Sequence, residues 1–473
     1  MRCSLIKTIA LAVLALPLAL RAGDYIPESY RFLPKEAMKD ARELDLKYLR
    51  KAFLETNRSF SYTAGSEAAF SGEISRLIQN ADRLTFGDLY MGISRAVAHV
   101  DDGHTSVLGP DRLRHFPIRV SWFGDDLHVI RARDDHSHLL GNRVLRIAGK
   151  EPRELLQMLD AYIGGSEEHV KALSPDYLDS PDALAGMGVV EDGEPVEVSF
   201  DTGQGSIAIS FHATLAADPI LYFVGWRDRA PDTEYRENEG WSHLLENVDR
   251  VPVYLQDGND PYARVAVLGH DDIFYMRLRA TMDANVFIRD YAGIDRTSGH
   301  PPLRSYLLGM LSRAAGEGQY RNAIIDLRFN PGGNYMNTME FARALPRLLP
   351  KSGKIFVITN NNTFSAAIVT TAFLKAFGGD RTIIVGERVG DREQFWAESQ
   401  MLTLPISGIR ILATQGYHNW SEGCTEKPEC GFNTLYDVAA GSLSPDIPVA
   451  VSFDDYVNGR DPMLEAILEE IAD

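Results

Sequence analysis

The chain has 473 residues, 66 acidic against 48 basic side chains, a net charge of −18, and apolar and charged shares of 45% and 24%. That length exceeds one ordinary core and predicts roughly two to four domains, with the composition of a soluble globular protein. The acidic balance excludes a nucleic-acid footprint or a polybasic membrane surface, both of which need clustered Lys and Arg.

At the N-terminus, Arg2 and Lys7 precede the apolar run "TIALAVLALPLAL", and small residues follow in "RAG", with Ala22 as the last residue removed. This order is that of a secretory signal peptide over residues 1–22. A membrane anchor would need about 20 apolar residues, so export without a stable anchor is expected. Cys3 leaves with the signal. Cys424 and Cys430 remain in "GCTEKPECG", and an even count in an oxidising compartment predicts a disulfide closing a short loop. A zinc site there would lack a second ligand pair nearby.

Residues 23–110 read as a helical region. In "TFGDLYMGISRAVAHV", Phe86, Leu89, Tyr90, Ile93, Val97 and Val100 fall three or four apart behind Thr85 as N-cap, and the helix runs out at "DDGH". Residues 111–215 change to short strands, "PIRVSWFG", "LHVIRA" and "RVLRIAGKEP", then the helix "PRELLQMLDAYI" and the strands "VEVSFDTG" and "SIAISF". This is a small β-rich module, and "GNRVLRIAGKEPRELLQML" looks like the PDZ signature, a type of module that binds extended peptides along a sheet edge. Residues 216–262 lack periodicity and read as a connecting or lid segment. From 263 to 473 strands and helices alternate: "IFYMRLR", "LRSYLLGMLSRAA", "NAIIDLRF", "MNTMEFARALPRLL", "KIFVITN", "FSAAIVTTAFLKAF", "TIIVGE". That order predicts an α/β core with a buried parallel sheet and ligands at the carboxyl ends of its strands.

Two such ends carry chemistry. In "DLRFNPGGN", Pro331 stops the strand and Gly332-Gly333 offer unhindered N–H groups at a turn into a helix, which suits either an oxyanion cradle or a plain tight turn. Ser365, in "TNNNTFSAAIVTTAF", opens the next helix, with Thr363 as candidate cap and the Ala366 N–H as a further oxyanion donor. A serine nucleophile needs a base. His104, on the Gly-flanked loop "HVDDGHTSV", is placed to reach across a cleft; His99, His128, His136, His138 and His169 have solvated readings. The spacing of His99, Asp101 and His104 matches no strong metal-ligand motif, so neither metal nor cofactor is expected.

In order, "NAIIDLRFNPGG", "NNNTFSAA", "IIVGERVG", "SLSPDIPV" and "DDYVNGRDPMLEAI" resemble the tail-specific or C-terminal-processing serine peptidases of the S41 group, clearly over 263–473 and more loosely over 85–212. The resemblance implies a crotonase/ClpP-like core with a PDZ-like module and an N-terminal helical region. It makes Ser365 the nucleophile, with oxyanion donors at Gly332 or Gly333 and Ala366. One branch uses a lysine base after the "GE-x-T" turn, but here Asp391 follows Gly390, and no lysine occurs between Lys375 and Lys427. The tricorn-core-like branch takes a histidine from a "DGHT"-like loop, which points to His104. Its orienting acid falls late in the core, where this chain carries an extra Cys-bounded loop; Glu422 is the first choice and Asp437 the second. The Ser-x-x-Glu of the group is absent, Ile368 standing three after Ser365. The resemblance thus implies an exported serine endopeptidase acting on peptides or unstructured proteins, with a non-catalytic peptide- or lipid-binding protein on the same scaffold as the alternative.

Overall fold

The computed structural model describes residues 33, 35–109, 113–212, 229–231, 240–248, 251–256, 263–266, 272–283, 301–318, 320–425, 427–432 and 438–472. The expected signal 1–22, most of the 216–262 segment and Asp437 lie outside them. No helix among the described residues is long and apolar enough to cross a membrane.

The N-terminal region consists of helices Lys35–Thr56, Ser66–Gln79 and Phe86–Ala98. The third starts at a capping box in which Thr85 Oγ1 accepts from the Asp88 N–H and the Asp88 carboxylate accepts from the Thr85 N–H. Such a cap is worth about 1 kcal/mol. Its apolar stripe, Leu89, Ile93 and Val97, is fully buried in one cluster with Phe53, Phe70 and Ile74 of the first two helices. The loop carrying His104 follows directly.

The β-rich module is an antiparallel sheet in the order Ile118–Phe123, Asp126–Arg133, Arg143–Ile147, Val196–Asp201 and Ser206–Phe211, with Trp241–His243 also on Asp126–Arg133. Part of the segment expected to connect or cover is therefore a strand of this module. The helix Pro152–Leu159 begins with Pro at its first position, where no N–H is needed. It buries Leu155 and Leu159 in the same core as the three N-terminal helices.

The C-terminal core is a six-stranded sheet in the order Ile447–Pro448, Thr382–Gly386, Ile355–Thr359, Asn322–Asp326, Ile273–Leu278 and Ala263–Ala266. The pairs are parallel except the last. Ile355–Thr359 is buried at every position, as a central strand covered on both faces must be. One face packs the helices Leu303–Glu317, Met339–Leu348 and Ala366–Gly378; the other packs Pro462–Ala472. The fold is thus mixed α/β: a core on a largely parallel sheet, with a β-rich module and a helical region.

Two small antiparallel units tie these parts together. Val107–Leu108 pairs with Arg410–Ala413, which pairs with Gln400–Thr403, while Gln394–Ala397 pairs with Gly416–Asn419. The first pairing docks the chain just after His104 onto the C-terminal core. Cys424 and Cys430 form the expected disulfide beyond the second.

Candidate active site

Ser365 caps the helix Ala366–Gly378 with φ 56° and ψ −125°. A residue bearing a side chain is strained there by about 1–3 kcal/mol. A sharp strand-to-helix turn of this kind is how a nucleophilic serine is held out from a sheet end. Several bonds over-determine it. Thr363 does not cap the helix: its Oγ1 accepts from the Asn360 N–H and donates to the Leu327 carbonyl. The Phe364 N–H donates to the Asn330 carbonyl, and the Phe329 N–H to Asn360 Oδ1. The "NPGG" turn and the serine turn are thereby one hydrogen-bonded unit.

Within that unit the expected oxyanion donors separate. The Gly332 N–H donates to Asn330 Oδ1 at 2.9 Å, so it is already committed. The N–H groups of Gly333 and Ala366 have no hydrogen-bond partner among the described residues. Gly332 has another task. A Cβ placed on it would lie 2.5 Å from the Ser365 Cβ, 2.7 Å from the Ala366 nitrogen and 2.8 Å from the Phe364 carbonyl, and its φ of +98° disfavours a side chain in any case. The turn abuts the serine so closely that a side chain at 332 would displace it.

His104 is buried, with its ring between those of Phe364, at a centroid distance of 4.3 Å, and Phe395, at 4.9 Å. Phe364 is the immediate neighbour of Ser365, so the "DGHT" loop and the serine turn are in contact. Neither ring nitrogen of His104 has a hydrogen-bond partner, hence none to Ser365. The loop is locked: Thr105 Oγ1 donates to Asp102 Oδ2 and shares a bond with Thr414 Oγ1, and Arg392 donates to the Asp101 carbonyl and carboxylate and to the Gly165 carbonyl.

The carboxylates facing His104 are not those expected. Glu422 is exposed, beside Asn419 and just ahead of the disulfide-bounded loop, and is not brought to the imidazole. Its place is taken by Asp391, whose Oδ2 lies 3.6 Å from His104 Nδ1, with Asp102 close by. Asp391, which stands where the Ser-Lys branch carries its lysine, is thus packed against His104. Burial pushes the His104 imidazole down to about 4, against a smaller opposite pull from Asp102. Burial also pushes the Asp102 carboxyl up to about 7 and raises Asp391. The site therefore favours a neutral imidazole.

His169, expected to be solvated, is buried on the far face of Phe364 at 4.7 Å, beside Gly103 and Gly390. Gly164 and Gly165, from the β-rich module's flank, also press on the loop: a Cβ on either would meet Asp102 or Gly103 backbone atoms within 3.0 Å. "GG" in "AYIGGSEEH" is the sequence signal for this close approach, and it is visible only once the partner loop is known.

The fold is shared with solved structures of low sequence identity. No family model matches the chain, and no curated protein matches it by sequence. Among solved structures it is similar to mature CPAF complexed with lactacystin, at a TM-score of 0.58 and 12% identity over 92% of this chain and 98% of that one. Mature CPAF alone gives 0.58 and 13%, over 92% and 97%. The photosystem II D1 C-terminal processing protease aligns over 89% of this chain and 98% of its own, at 0.35 and 13%.

Proposed function

We propose that the protein is a serine endopeptidase in which Ser365 forms an acyl-enzyme, His104 is the general base and Asp391, rather than Glu422, orients it. The observation that carries this reading is the strained Ser365 turn, braced by Gly332 and flanked by the uncommitted N–H groups of Gly333 and Ala366. A packing serine has no need of φ 56°.

In the reaction, Oγ attacks a peptide carbonyl as His104 Nε2 takes its proton, and the Gly333 and Ala366 N–H groups hold the developing oxyanion. His104 then protonates the leaving amine and water resolves the ester. Asp391 beside Nδ1 favours the tautomer with its proton on that nitrogen, leaving the Nε2 lone pair for Ser365. The imidazole reaches Ser365 by sliding from between Phe364 and Phe395. Catalytic hydrogen bonds are commonly longer before substrate binds. An exported protein with peptides or unstructured proteins as substrates is consistent with the Cys424–Cys430 disulfide and the "TIALAVLALPLAL" segment.

A fluorophosphonate probe tests the reading: covalent labelling of the pure protein, absent in Ser365→Ala and much slowed in His104→Ala, is expected. Equal labelling of Ser365→Ala refutes it. Lactacystin, with which mature CPAF was solved, serves as a second probe. The unformed Ser365–His104 bond is the observation that favours a non-catalytic peptide- or lipid-binding protein, and absence of any labelling would support it.

A further inference from the structure

Three side chains from two distant segments converge beneath the serine turn. Asp102, His104 and Asp391 each offer a ligand atom within 4.8 Å of the others, and all three are more than nine-tenths buried. Two carboxylates and an imidazole at such depth need protons or a cation to balance them. The hydrogen bonding around them is incomplete on the inner side. Asp102 accepts from the Trp396 N–H and from Thr105 Oγ1, and Asp391 Oδ1 accepts from the Arg392 N–H. Asp391 Oδ2 and both His104 nitrogens are buried and have no hydrogen-bond partner.

We infer that these three residues form a regulatory zinc site that competes with catalysis. His104 Nδ1 and Asp391 Oδ2 stand 3.6 Å apart, too far for a hydrogen bond. That separation suits two ligands of one ion: at Zn–N and Zn–O lengths of about 2.1 Å it corresponds to an angle of roughly 120°, near tetrahedral. Asp102 completes a three-residue set by closing about 1 Å, and water fills the fourth position, as in open zinc sites. The imidazole nitrogen selects zinc over magnesium or calcium, which prefer oxygen ligands throughout. The bonds from Trp396, Thr105 and Arg392 act as outer supports that hold the carboxylates in orientation.

The consequence for the site follows from imidazole chemistry. A neutral imidazole with zinc on Nδ1 carries its proton on Nε2 and has no lone pair left to accept one from Ser365. Binding releases the protons balancing the carboxylates to solvent and moves the imidazole proton from Nδ1 to Nε2; the bonds formed are those from zinc to Nδ1, to the two carboxylates and to one water. The regulatory half of the inference rests on His104 being the general base; the binding half stands on the cluster alone.

The test is a calorimetric titration of the EDTA-treated full chain with zinc chloride. One site per chain is expected, retained in Ser365→Ala and Glu422→Gln and weakened at least about 100-fold in Asp391→Asn and Asp102→Asn, since losing a ligand costs no less than the upper end of what losing an outer support does. No stoichiometric site, or a site equally tight in both Asn variants, overturns the inference. Cobalt(II) added to the unmutated chain gives a readout independent of how the variants fold: an intense visible spectrum of a four-coordinate ion, abolished by zinc, supports the site, and a weak six-coordinate spectrum overturns it. Fluorophosphonate labelling then separates the two halves. Zinc should slow labelling of the unmutated protein at least tenfold and reversibly with EDTA; unchanged labelling at saturating zinc overturns the regulatory half while leaving the peptidase reading intact. If the protein is not labelled at all, the peptidase reading fails and the titration still decides the metal site.

Discussion

Replacing Gly332 by Ala isolates the link between the "NPGG" turn and the serine. The new methyl would start 2.5 Å from the Ser365 Cβ and 2.7 Å from the Ala366 nitrogen. Ordinary contact begins near 3.4 Å, so the serine turn must retreat by about 0.9 Å. A misplacement of about 1 Å in a reacting group costs on the order of 100-fold in rate. The φ of +98° adds a backbone penalty of about 1–3 kcal/mol to stability. The control is Gly188→Ala, at φ +72° with nothing within 4 Å of its Cβ. It carries the backbone cost without the collision. Fluorophosphonate labelling and urea unfolding of both variants give the comparison: both lose stability, and only Gly332→Ala loses about 100-fold in labelling rate. Labelling of Gly332→Ala at the parent rate would refute the claim that this glycine braces the nucleophile.

Acid stability should report the buried cluster. Asp102 titrates at about 7 in the fold against 3.8 unfolded, so the folded chain holds an extra proton in that window and stability falls by up to about 4 kcal/mol as pH rises through it. His104, lowered from 6.5 to about 4, does the opposite: the unfolded chain binds the proton that the fold refuses, and stability rises by up to about 3 kcal/mol from pH 4 to 6.5. The two nearly cancel in the parent, and Asp102→Asn should uncover the rising slope in urea unfolding; a variant profile no steeper than the parent's rules this out. Arg392→Ala removes the bonds to Asp101 and Gly165 that hold the "DGHT" loop. It should cost less than about 1 kcal/mol in stability, since the pair is exposed, yet slow labelling about tenfold through a looser base; unchanged labelling would show that the loop is held without it. Converting Cys424 and Cys430 to Ser opens a loop of sequence separation 6 and should lower stability by about 2 kcal/mol by the chain-entropy estimate, read by thermal melting; labelling should not change, because the carboxylates beside His104 are Asp391 and Asp102, outside that loop.

The elements legible in the sequence were those whose local rules agree with their surroundings. The stripe of Phe86 to Val100 and the apolar run of Ile355–Thr359 announce a half-buried helix and a fully buried strand, because periodicity follows from burial alone. Ser365 and His104 were findable because Pro331, Gly332, Gly333 and Gly103 punctuate the loops that hold them. The carboxylate beside His104 was not. Expecting it at Glu422 relies on order along the chain, and that residue is exposed just ahead of the disulfide-bounded loop. Asp391 was visible only as a missing lysine. Nothing local says that a carboxylate at that position faces an imidazole 287 positions earlier, since the pairing is made by tertiary contacts. His169 was misread for the same reason, its ring being buried by Phe364 and by the backbone of two other loops.

What assembles the site is therefore the docking of the N-terminal part onto the core. Val107–Leu108 adds to the strand Arg410–Ala413, and two residues before it Thr105 shares a hydroxyl bond with Thr414, which also accepts from Asn57 of the helical region. Ser365 with its braced turn belongs to the core sheet, whereas His104 arrives on the other side of this joint. Ser365 is fixed by local strain and His104 by a long-range pairing, so the two residues of the proposed catalytic pair respond to different perturbations. A change at Gly332 acts on the serine within one turn. A change at Thr414 or Asn57, far from any substrate, acts on the base by shifting the loop that carries it. The burial of His104 between Phe364 and Phe395 follows from the same joint, since one ring comes from the serine turn and the other from the strand Gln394–Ala397. On the proposed reading, movement of His104 toward Ser365 is coupled to movement across that joint, which makes the fit of the helical region on the core, rather than the serine turn, the part of the fold that would set when the site is competent.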